Sequence, residues 1–186
     1  MISGFNGGII NSILLGIFFL SSCNDMRKVK FEDNWESINH TVIQTLSLKM
    51  INAKDSSVYI YIGKYDDDEL FKLKYVIYHQ KGLLHVYDDK KLIIKGKFDC
   101  NKKIVVKNKN IIIEAYGSEE PGFGDLLYYL FTKEYGLIFV KVVGGERKLV
   151  KFNKKESEIR ELINAIKEDS VFYKWGGREP IYPPND

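Results

Sequence analysis

Phe71-Lys-Leu-Lys-Tyr-Val-Ile-Tyr-His-Gln-Lys-Gly-Leu-Leu-His-Val-Tyr87 is the stretch whose reading decides the fold. Side chains alternate between the two faces of a strand, so Phe71, Leu73, Tyr75 and Ile77 share one side. Lys81-Gly82 is a two-residue hairpin signal, and Leu83–Tyr87 is the returning strand. Such a turn pairs Gln80 with Leu83, His79 with Leu84 and Tyr78 with His85. His79 and His85 then point to opposite faces and cannot share a zinc, whereas a longer turn would bring them to one face.

The same texture extends in both directions. Upstream, Val58-Tyr-Ile-Tyr-Ile62 is β-branched and aromatic, and Leu46, Leu48 and Met50 alternate with Ser47 and Lys49 to suggest a strand over 44–51. Downstream, strands are expected at 91–98, 104–106, 111–116, 127–132, 137–143 and 147–152. Asp66-Asp67-Asp68, Asp88-Asp89, Asn108–Asn110, Tyr135-Gly136 and Gly144-Gly145 break the chain between strands. Turns every 8–12 residues, with no helical pattern between strands, favour an antiparallel meander over βαβ units.

Two helices frame these strands. Asp33 and Glu36 have capping-box spacing, and Trp35, Ile38 and Val42 continue it as a short helix over 34–43. A single helix running on to 52 is the competing reading. Near the end, Asn153 and Glu156 again have cap spacing. Ile159, Leu162, Ile163 and Ile166 then form one apolar stripe, which predicts an amphipathic helix packed on the sheet. The expected fold class is α+β: an antiparallel β-meander, as a curved sheet or partial barrel, with a short N-terminal helix and a C-terminal amphipathic helix. A tail over 171–186, with Tyr173, Trp175, Tyr182 and three prolines, is expected to be extended.

Charge divides the chain unevenly. Of 28 Lys+Arg and 25 Asp+Glu in 186 residues, only Asp25 falls in the first 26. The apolar run Ile13–Leu20 is too short to span a bilayer, which takes about 20 residues, and fits a secretory leader. It ends in Leu20-Ser21-Ser22-Cys23, which resembles the lipobox of bacterial lipoproteins. The resemblance implies cleavage before Cys23, acylation of its thiol and a mature chain of 23–186. It also implies residence in the bacterial cell envelope, membrane-anchored and facing periplasm or exterior. The organisation is then signal peptide 1–22, lipid anchor and tether 23–33, a globular domain 34–170 and the tail. Translation from Met26 would instead give a cytosolic protein, and a buried core helix over 9–20 is a third reading. With Cys23 acylated, Cys100 has no intrachain partner and is expected to be a buried small apolar residue.

Candidate sites are few. Asp66–Glu69 is contiguous and lacks the central glycine of a calcium loop, so a solvated turn is expected there. No Cys/His cluster has zinc spacing, and no cofactor or metal is expected. Glu114, Glu119, Glu120 and Asp125 cluster around Pro121-Gly122-Phe123-Gly124, and Glu119, Glu120 or Asp125 could serve a carboxylate-dependent hydrolase. No nucleophile elbow, phosphate loop or His-Glu-x-x-His motif is present. Residues 90–109 carry eight lysines and one acid, Asp99. Lys91, Lys95 and Lys97 are expected on one strand face, joined by Lys103 and Lys107 from a neighbouring strand. Such a face suits diffuse attraction to an anionic envelope component or an acidic protein. It has too few aromatics for nucleic acid. The expected function is a membrane-anchored lipoprotein with a non-catalytic binding or structural role. An envelope inhibitor or immunity protein is the first alternative, and the hydrolase the second.

Overall fold

A computed structural model of the protein describes residues 26–35, 41–64, 69–118, 128–142 and 145–169. They form ten strands and one helix. The strands are β1 (Arg27–Trp35), β2 (Val42–Asn52), β3 (Ser56–Lys64), β4 (Leu70–Tyr78), β5 (Leu83–Asp88), β6 (Lys91–Val106), β7 (Lys109–Ser118), β8 (Tyr128–Thr132), β9 (Gly136–Val142) and β10 (Gly145–Phe152). The helix is α1 (Glu156–Glu168). Each strand pairs antiparallel with its sequence neighbours, and β1 also pairs with β10. The meander is therefore a closed barrel, which leaves no sheet edge exposed.

Alternation decides which residues line it. In β3, Ser57, Tyr59, Tyr61 and Gly63 are buried and their neighbours are half-exposed. Phe71, Tyr75 and Ile77 face inward from β4, and Leu84 and Val86 from β5. Aromatic rings fill the centre: Tyr61 lies 5.6 Å from both Phe31 and Tyr75, edge to face. Phe131 stacks on Tyr59 at 5.5 Å and meets Tyr75 at 5.7 Å and Tyr116 at 6.0 Å. Staggered contacts of this kind add to simple burial. Outside the barrel, α1 lays Ile159, Leu162, Ile163 and Ile166 on β6 and β10. The face beneath it includes Ile104, Ile113, Ala115, Leu130 and Phe139.

The strand order gives the barrel two unlike ends. The β2–β3, β4–β5, β6–β7 and β8–β9 turns, the start of β1 and the entry to α1 share one end, here the lower end. The β5–β6 turn and the β1–β2, β3–β4, β7–β8 and β9–β10 connections belong to the upper end. Gly136 closes the lower end with φ +73°, where an added Cβ would stand 2.7 Å from the Tyr61 hydroxyl. Only glycine combines that φ with that approach.

Several expectations are corrected. Residues 27–33, read as tether, are strand: Val29 and Phe31 are buried while Lys28 and Lys30 are exposed. The helix over 34–43 does not form as such, because Asn34 and Trp35 belong to β1 and Val42 and Ile43 to β2; residues 36–40 lie outside the described residues. Asp33 is turned into the barrel rather than capping a helix. The curved or partial sheet is closed. The two strands over 91–98 and 104–106 are one, β6, bent by a register shift at Asp99. The β4–β5 turn holds four residues, with Tyr78 paired to Leu83 and His79–Lys81 forming a 3-10 turn ended by Gly82 at φ +60°. Asn153 makes no cap to α1. It sits at φ +51° and its side-chain oxygen accepts from the Lys28 amide at 3.1 Å.

Candidate functional site

A polar group in the interior joins three strands. Arg147 of β10 donates from Nε to Asp33 Oδ1 at 2.6 Å and from Nη2 to Asp33 Oδ2 at 2.7 Å, both bonds reaching β1. Its Nη2 also donates to Gln44 Oε1 of β2 at 3.1 Å. The Asp33 side chain is 5% exposed and that of Arg147 18%. The guanidinium lies 5.8 Å from the Phe31 ring centre. Burial alone would depress the Arg147 pKa, but the Asp33 carboxylate outweighs it and the pKa is raised. This is a satisfied bidentate pair.

Tyrosines surround it. Burial pushes Tyr75 up to about 12, against the pull of Arg147. Tyr59 is likewise raised to about 12 by burial, opposed by its hydrogen bond to Ser57 and helped by the Glu114 charge. Tyr129 and Tyr61 are raised by burial as well. Tyr116 donates to Glu114 Oε2 at 2.9 Å. At neutral pH these phenols are neutral donors and acceptors.

Ser57 Oγ lies 2.9 Å from His79 Nε2 at the lower end, within nucleophile-to-base range. The nearby Asp55 carboxylate, however, accepts from Gln80 Nε2 at 2.7 Å, and the Asp55 carbonyl accepts from the His79 amide at 3.0 Å. The contact thus belongs to a set that locks two adjacent turns together.

The five lysines of the expected anionic-partner face are not brought together. Ile94, Gly96 and Phe98 continue the barrel-lining alternation, so Lys95 and Lys97 point outward. A register shift at Ile93 puts Lys91 opposite Asp88, on the other side of the strand. The shift at Asp99 has the same effect on Lys103, which pairs with exposed Ile112 and faces away from α1. Lys102 takes the helix side and bridges to Asp169. Lys107 is in the β6–β7 turn, where it donates to Ser157 Oγ at 2.6 Å and pairs with Glu161 at 3.5 Å. Two single-residue shifts in β6 divide the expected face, and a uniform alternation could not reveal them.

On the outer wall His85 is paired in register with Lys95 and lies between Tyr78 at 5.2 Å and Tyr87 at 6.2 Å. Lys74 Nζ stands 4.1 Å from the Tyr87 ring centre. A groove of about 490 Å³ runs between α1 and β1–β10. Its charges are interleaved, with Lys148 paired to Glu32 at 2.6 Å and Lys151 to Glu156 at 3.7 Å.

Among the described residues no group of three His, Cys, Asp or Glu could hold a metal ion. Cys100 is half-buried against the core. Cys23, His40, Asp66–Asp68, Glu119, Glu120, Asp125 and the tail 171–186 lie outside the described residues. Sequence reasoning missed the Asp33–Arg147–Gln44 group. Its signal was a polar residue at an inward position of an otherwise apolar alternation, once Val29-Lys-Phe-Glu-Asp33 is read as a strand. No family model matches the chain, and no curated protein matches it.

Proposed function

We propose that the protein is a membrane-anchored bacterial lipoprotein whose barrel acts through its outer surface, in a binding or structural role in the cell envelope. The observation that carries this reading is the position of Leu20-Ser21-Ser22-Cys23, four residues before β1 begins at Arg27. An acylated Cys23 would attach the barrel to lipid with almost no intervening chain. The interior supports the second half. Aromatic rings and a satisfied Arg–Asp pair fill it among the described residues, so partners would meet the outer wall and the two ends.

Mass spectrometry of the mature N-terminus tests the anchor. The expected result is a chain starting at an acylated Cys23, with fatty-acid label lost and the protein released to the soluble fraction in Cys23→Ala. An unacylated chain starting at Met1 or Met26 would overturn the reading.

A further inference from the structure

Each part of the lower end carries an exposed lysine. Lys28 stands at the start of β1, Lys54 in the β2–β3 turn and Lys81 in β4–β5. Lys107 follows in β6–β7, Lys133 in β8–β9 and Lys154 before α1. Contacts tie these parts into two groups at that end. The β2–β3 and β4–β5 turns are joined through Asp55, and the Asn153 amide donates to the Lys28 carbonyl at 2.8 Å. Lys155 bridges to Glu134 at 2.5 Å, and Lys107 reaches Ser157.

The carboxylates of this end are already engaged. Asp55 accepts from Gln80, Glu134 from Lys155, and Glu158 from Tyr135 at 2.6 Å. The upper end is mixed by comparison: Glu69, Asp88 and Asp89 are exposed there beside Lys64, Lys90 and Lys91. The near-neutral total of +3 thus conceals a concentration of lysines at one end of the barrel.

We propose that the lower end is a docking surface for the headgroups of an anionic bilayer, with the upper end held away from the membrane. This orientation rests on the lipoprotein reading. Four residues reach at most about 14 Å, so an acylated Cys23 holds Arg27, and with it the lower end, at the headgroup layer. β1 rises about 26 Å from Arg27 to Trp35, which puts the upper end beyond reach. Lysines are mobile point charges and suit a fluid layer of lipid phosphates better than a fixed bidentate ligand. Acyl anchors commonly act together with a basic patch as a second signal, and this ring provides one at the right place.

The acylated protein, reconstituted into phosphatidylcholine vesicles with or without phosphatidylglycerol, provides the test. Lysines are labelled with an amine-reactive reagent and quantified individually by mass spectrometry. On anionic vesicles Lys54, Lys81, Lys133 and Lys154 are expected to label several-fold more slowly than on neutral ones. High salt should restore their labelling, since screening is nearly complete over a few ångströms at about 1 M. Lys90 and Lys91, at the upper end, should label equally on both. In Lys54→Glu/Lys81→Glu, Lys133 and Lys154 should lose their protection while the melting temperature stays unchanged. Equal labelling on both vesicles, or protection of Lys90 and Lys91 instead, would overturn the proposal. A Cys23 without an acyl group would remove the lipoprotein reading itself, and the orientation with it.

Discussion

Arg147 and Asp33, 114 residues apart, meet through two parallel hydrogen bonds of 2.6 and 2.7 Å inside the barrel. They join β10 to β1, the pair of strands that closes the sheet. Removing one partner leaves the other charge buried and alone, which costs about 3–5 kcal/mol. Asp33→Ala and Arg147→Ala should each lower stability by that amount in urea denaturation. Replacing both with leucine should cost clearly less than the sum, because no lone charge remains.

Gly136 and Tyr61 make a second test of packing. The Tyr61 hydroxyl accepts from the Leu137 amide at 2.8 Å and occupies the space a Cβ on Gly136 would need. Gly136→Ala should destabilise by about 1–3 kcal/mol, the scale of a residue forced into the left-handed region. In a Tyr61→Phe background the same substitution should cost less, since the clashing oxygen is gone. A double-mutant cycle reads the coupling, and strict additivity would contradict the close approach.

Acid should act through Glu158. Its carboxylate accepts from the Tyr135 hydroxyl, and that bond, opposed by burial and aided by Lys109 and Lys155, holds its pKa below the ordinary carboxylate value of 4.5. A carboxylate depressed in the folded state binds its proton more weakly than in the unfolded chain. Its stabilisation is therefore full above the unfolded pKa and is lost as pH falls through the folded one. Unfolding free energy should decline on acidification from about pH 4.5. Tyr135→Phe should flatten that decline and cost about 1.5–3 kcal/mol at neutral pH, the range for a hydrogen bond to a charged group.

Alkali should act through the interior phenols. Burial raises Tyr59 and Tyr75 to about 12, from 10.0. Between those values the unfolded chain has released these protons and the folded chain keeps them. Stability should therefore fall as pH rises from about 10 towards 12. Absorbance at the tyrosinate band should show exposed phenols titrating first and the buried set ionising together with loss of the native fold. Smooth titration of every tyrosine near pH 10 would contradict a tightly packed interior.

Much of the barrel was legible because inward and outward residues alternate cleanly in β3 and β5, and in sequence pattern along β4. Phe71, Leu73, Tyr75 and Ile77 read as one face and share the barrel-lining side. α1 was legible from the stripe Ile159, Leu162, Ile163 and Ile166, all buried as expected. Closure was not legible, because a meander of this pattern fits an open sheet as well as a closed one. The deciding element is β1, whose only apolar inward residues before Asp33 are Val29 and Phe31. Set among Lys28, Lys30 and Glu32, they resemble a polar tether. The lysine face failed for a different reason. Each shift at Ile93 and Asp99 moves one residue, and with a period of two that exchanges the faces of everything beyond it. The basic lower end was hidden because its lysines come from six separate places in the chain, one or two at a time.

The β1–β10 seam also sets the order of assembly. Every other strand pair joins neighbours in sequence, whereas this one unites Val29 with Phe152. More than a hundred residues must be synthesised after β1 before that strand finds its second partner in β10. Contacts of such high sequence separation slow folding. Until they form, β1 and β10 are open edges able to recruit strands from other chains. The emerging polypeptide is therefore at greatest risk of aggregation until β10 has emerged, and substitutions in β10 should reduce the yield of folded protein more than equivalent changes in β4 or β5.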